Sequence, residues 1–74
     1  MSDPLNSALI TLKVNGQAHE TAARTVLGLL ESLDIPLGKV AVERNREIVP
    51  KSTFPEAPLA DGDEIEIVNF VGGG

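Results

Sequence analysis

The sequence predicts a small α+β roll: a mixed sheet of about four to five strands with one main helix packed on it. Three observations carry this. Ile10, Leu12 and Val14 alternate with Thr11 and Lys13, the period of a strand with one buried face. Asn15-Gly16 follows at once, a pair that accepts positive φ at both central positions of a tight hairpin. Val26, Leu29, Leu30 and Leu33 fall at i, i+3, i+4 and i+7, the stripe of an amphipathic helix.

The elements follow in order. Residues 1–8 are expected to be loosely ordered. After the first strand and its turn, residues 17–22 read as the returning strand. Thr25 is placed to cap the helix. Gly28 weakens that helix by roughly 1 kcal/mol relative to alanine, which suggests close packing against the sheet. Asp34-Ile35-Pro36 ends it, because a residue before proline avoids the helical region. Val40-Ala41-Val42-Glu43 is a third strand and Asn45-Arg46 a turn, although arginine suits positive φ less well than glycine. Glu47-Ile48-Val49 is a short strand that Pro50 confines to an edge or an end. Residues 51–60 carry Pro55 and Pro58 and read as a loop, with one helical turn around residues 52–54. Asp61-Gly62-Asp63 is a turn. The last strand spans residues 64–70, and it is expected to lie parallel to the first in the middle of the sheet.

Composition narrows the function. The chain has 74 residues, enough for one domain with a thin core. It holds two Phe and neither Trp nor Tyr, so the core is expected to be aliphatic, with no aromatic platform for nucleobases. The formal charge of −5 opposes binding to phosphate backbones. There is no cysteine, which removes disulfides, thiolate metal sites and a protein thiol as reactive group. The first residues have neither a basic nor an apolar signal region, and no stretch is long enough to span a membrane. Cytoplasmic placement is the expectation. No catalytic side chain and no metal site are assigned. His19, the only histidine, is expected on the surface. Arg44 and Lys51 are read as solubilising residues before partner contacts.

Charge is unevenly distributed. From Ser52 to Gly74 there is no Lys or Arg, while Glu56, Asp61, Asp63, Glu64 and Glu66 are acidic. Such an end is steered toward a basic surface, or simply keeps a turn and strand face solvated. In the last strand, Ile65 and Ile67 share one parity and are assigned to the core. Val68 and Phe70 share the other with Glu64 and Glu66. Val68 and Phe70 are therefore candidate docking residues, and Val71, next to the terminal glycines, is taken with them. Gly72-Gly73-Gly74 follow; they pack nothing and would reach on the order of 10 Å when extended. They are expected to be mobile in the free chain.

The element order, the stretches 42–50 (VERNREIVP), 61–68 (DGDEIEIV) and 70–74 (FVGGG) together resemble the ubiquitin-like β-grasp fold. More closely, they resemble the ThiS sulfur-carrier family of thiamine biosynthesis, over about residues 9–74. Residues 1–8 and the third glycine are the departures. The resemblance implies a β-grasp domain over residues 9–71 and a tail at residues 72–74. It implies that a ThiF-like adenylating enzyme activates the Gly74 carboxylate with ATP and Mg. A persulfide from a sulfur-donating enzyme then leaves a thiocarboxylate. That group donates sulfur to the thiazole on a ThiG-like thiazole synthase. Gly72 and Gly73 would thread the partner active sites. The carrier itself would bind no cofactor and catalyse nothing; its small size and the lack of an apolar stripe beyond the core suggest a monomer when free. Alternatives are a carrier of the molybdopterin synthase small-subunit type, a ubiquitin-like protein modifier and an inert interaction domain.

Overall fold

The computed structural model describes residues 9–70. The expectations for residues 1–8 and for Val71, Gly72, Gly73 and Gly74 lie outside that span. Strands β1 (Ile10–Val14) and β2 (Gln17–Thr21) form the first hairpin, followed by helix α1 (Val26–Ser32). Strands β3 (Val40–Arg44) and β4 (Glu47–Val49) form the second hairpin. A 3-10 turn (Lys51–Thr53) and a loop then lead to β5 (Glu64–Asn69). The sheet order is β2-β1-β5-β3-β4. Strand β5 is central, parallel to β1 and antiparallel to β3. Pro50 follows β4, which is indeed an edge. This is the mixed sheet with one helix that the sequence predicts.

Alternation decides which face is buried. Leu12, Val40, Val42, Ile65 and Ile67 point to one side and form the core with Val26, Leu29 and Leu30 of α1. The expectation of an aliphatic core is corrected by Phe54, 2% exposed and the largest fully buried side chain. It comes from the segment read as loop, together with Leu59. That segment also closes the helix start. The first helical N–H groups have no partner within the helix. Here Val26 N–H donates to Ala57 C=O and Leu27 N–H to Phe54 C=O, both at 3.0 Å. Gly28 N–H donates to the Thr25 hydroxyl at 3.1 Å, so Thr25 caps as expected.

Two local expectations change. A Cβ on Gly28 would meet Thr25 Oγ1 at 3.3 Å and Ala23 Cβ at 3.5 Å, so the close approach is to the helix's own cap and not to the sheet. The helix also stops before the proline acts. Leu33 is its C-cap and Asp34 has φ 58°. Asp34 N–H donates to Glu31 C=O and Ile35 N–H to Leu30 C=O. That pair of bonds is a Schellman closure, with aspartate where glycine is usual.

Candidate functional site

Among the described residues, nothing covers the face of the sheet away from α1. Its residues are set by register. Ala41 on β3 lies opposite Val68 on β5. Glu43 lies opposite Glu66 on one side and Ile48 of β4 on the other. Lys13 on β1 lies opposite Glu64. Ile48 is 76% exposed, Val68 53% and Phe70 57%. Ala41, Ile48 and Val68 line a small depression of about 110 Å³, bordered by Glu43 and Glu66. The face is thus an apolar patch with an acidic border.

The patch leads to the end of the described chain. Phe70 N–H donates to Lys39 C=O at 2.8 Å, so the pairing of β5 with the β3 side continues one residue past the strand. Phe70 stays outside, beside a shallow hollow of about 360 Å³ formed with Pro36, Gly38, Lys39 and Asn69. Of the candidate docking residues, Val68 and Phe70 stand on this face. Val71 and the three glycines are outside the described residues. Ile48 is the residue that sequence reasoning misses. A three-residue strand carries too little alternation to tell its faces apart.

The other end of β5 is held by a polar cluster that reads, in the sequence, as a solvated turn. Asp63 is buried. Its carboxylate accepts from Arg44 Nε at 2.9 Å, Asn45 Nδ2 at 3.1 Å and the Ala60 N–H at 2.8 Å. Its backbone C=O accepts from Lys13 N–H. Burial pushes the Asp63 pKa up, but the hydrogen bonds from Asn45, Ala60 and Arg44 and the Arg44 charge outweigh it, and the net shift is below the ordinary value. Arg44 therefore belongs to this cluster, not to a solubilising surface. Asn45 Oδ1 accepts from Glu64 N–H, which fixes the first residue of β5. Lys51 Nζ donates to Gly38 C=O.

His19 is partly exposed, opposite Leu12 on the helix side of β2, where it borders a hollow with Val14 and Leu33. Among the described residues no group of three or more His, Cys, Asp or Glu could hold a metal. No helix there is long and apolar enough to cross a membrane.

The sequence model of the ThiS family matches residues 12–74. A protein named thiazole synthase from Paramagnetospirillum magneticum is 50% identical over 64 residues, 85% of this chain. The chain spans only 20% of that relative's length. The sulfur carrier protein ThiS of Bacillus subtilis is 50% identical over 50 residues, 68% of this chain and 76% of the relative. The crystal structure of a thiamine biosynthesis protein (ThiS) from Geobacter metallireducens has a TM-score of 0.74 and 32% identity. That match covers 88% of this chain and all of the other. The chain belongs to the ThiS family and has its ubiquitin-like β-grasp fold.

Proposed function

We propose that this chain is a protein co-substrate that carries sulfur to the thiazole of thiamine on its Gly74 carboxylate. The observation that carries the reading is the course of β5. An exposed apolar patch runs along it and ends at Phe70, and only Val71 separates that residue from Gly72-Gly73-Gly74. A partner that grips Val68 and Phe70 is placed to receive the glycines beyond them.

The chemistry needs activation from outside. A carboxylate is a poor electrophile, and in this reading the carrier's own side chains supply no acid, base or nucleophile. In the proposed cycle the Gly74 carboxylate attacks ATP in a ThiF-like enzyme, releasing pyrophosphate and forming an acyl adenylate. A persulfide displaces AMP, and cleavage of its S–S bond by a thiol leaves the thiocarboxylate. Gly72 and Gly73 fit a narrow entry because they add no side-chain bulk. The receiving partner is a thiazole synthase. Support comes from relatives of that name, which include a stretch similar to this chain. All of these steps are cytoplasmic in this reading.

The test is intact mass of the chain, ending at Gly74, after incubation with the adenylating enzyme, ATP and a persulfide donor. A gain of about 16 Da, one oxygen exchanged for sulfur, is expected. In parallel, deletion of Gly73-Gly74 is expected to abolish ATP–pyrophosphate exchange and leave the melt almost unchanged. Full exchange by the truncated chain would overturn the proposal. A ladder of lysine conjugates would favour a modifier instead.

A further inference from the structure

Two hairpins of this chain use the same turn with different residues. The first passes through Asn15 at φ 49° and Gly16 at φ 85°. The second passes through Asn45 at φ 50° and Arg46 at φ 71°. Paired left-handed residues match the twist of the flanking strands. Asparagine and glycine adopt them readily, whereas a residue with a long side chain is strained there. The two asparagines have clear work. Asn15 bonds both the N–H and the C=O of Ile67, and Asn45 bonds Asp63 and the Glu64 N–H. Arg46 has none. Its side chain is exposed and makes no hydrogen bond or ion pair among the described residues.

What Arg46 has is position. It borders a hollow of about 560 Å³ with Lys13, Glu43, Glu64 and Glu66, on the open face at the far end of β5 from Phe70. The six residues of β5 put Glu64 about 17 Å from Asn69, at roughly 3.3 Å per residue. Glu43 and Glu66 lie directly opposite one another, a like-charge pair that weakens a sheet. Two unfavourable choices, a strained cation and a repelling acidic pair, therefore meet in one hollow, and none of the three side chains makes an ion pair among the described residues. Strain of this kind points to a function outside the fold.

We infer that Arg46 sets the orientation of docking: its guanidinium takes a carboxylate of the thiazole synthase while Glu43 and Glu66 take a basic side chain next to it. This rests on the docking reading above and adds the recognition pattern. The apolar patch is attractive in any rotation. The tail must enter in one direction only. Arg46 beside Glu43 and Glu66, with Lys13 and Glu64 next to them at the end of β5 far from Phe70, makes the wrong rotation repulsive. Arginine suits the task because its planar fork engages a carboxylate through two bonds.

The test is calorimetric titration of the full chain into the thiazole synthase of the same organism, at low and high salt, with a melt of each variant. Arg46→Gly should melt about 4–8 °C higher, as strain at the turn is relieved. It should bind about tenfold more weakly at low salt, with a smaller loss at high salt. Arg46→Asn should also bind weakly, and Arg46→Glu more weakly still. One Asp→Lys or Glu→Lys variant of the synthase should restore binding to the Arg46→Glu chain. If Arg46→Gly binds as tightly as the parent while Val68→Asp does not bind, the inference is wrong and the docking face stands. If Val68→Asp binds normally, the docking face is wrong and the role of Arg46 falls with it. A lower melt for Arg46→Gly would show that the fold does use the side chain and would also overturn the inference.

Discussion

Asp63 shows how one side chain joins distant parts of the sequence. Its carboxylate ties the β3–β4 turn, through Arg44 and Asn45, to the loop at Ala60. With its pKa lowered, its contribution is present above the unfolded value near 4 and is lost as pH falls through the folded value. Asp63→Asn keeps the size and loses the charge. It should cost about 1.5–3 kcal/mol at neutral pH, the usual range for hydrogen bonds to a charged group. The stability lost by the parent on acidification below about pH 4 should be smaller in this variant. Denaturant melts across that pH range measure both. An unchanged acid limb would show that another carboxylate controls it. The sequence hides this role, since aspartates flanking a turn glycine are ordinarily solvated. Only the position of Arg44, at the end of β3, brings a cation to it.

At the scale of elements, legibility follows the length of the periodic signal. Strands β1 and β3, the helix and β5 can be read because alternation or the helical stripe extends over several residues. The segment between β4 and β5 reads only as a loop with one helical turn, which the structure has at Lys51–Thr53; its buried residues Phe54 and Leu59 are isolated among prolines and follow no period. Yet the helix depends on that segment twice: Phe54 fills the core beneath it, and the carbonyls of Phe54 and Ala57 satisfy its first N–H groups. Phe54→Ala should therefore cost about 3–5 kcal/mol, a large share of what a domain of this size has. Thr25→Ala removes one cap bond and should cost about 1 kcal/mol. Urea melts should place the two in that order. A mild effect at Phe54 would mean that the loop is a passive connection. Val68 and Phe70 can be placed by parity along β5, whereas Ile48 needs the register of β4 against β3.

For the whole molecule, the decisive property is a charge distribution that serves contact better than stability. The chain carries −5, and its open face places Glu43 against Glu66 without an ion pair to either among the described residues. In water such a pair costs about 0.2–1 kcal/mol. Added salt should screen it, so the melting temperature of the free parent chain should rise with ionic strength. Glu66→Gln removes the repulsion. Its melting temperature should be higher than the parent's at low salt and should depend less on salt. Association with a basic partner surface should move the other way, because the same charges that repel each other attract the partner over a distance. We expect Glu66→Gln to associate several-fold more slowly with the thiazole synthase at low salt, and the difference to fade as salt rises. Stopped-flow association beside thermal melts tests both halves on one protein. A variant that is more stable and associates as fast as the parent would show that the acidic border only keeps the sheet solvated, and recognition would then rest on the apolar patch and Arg46.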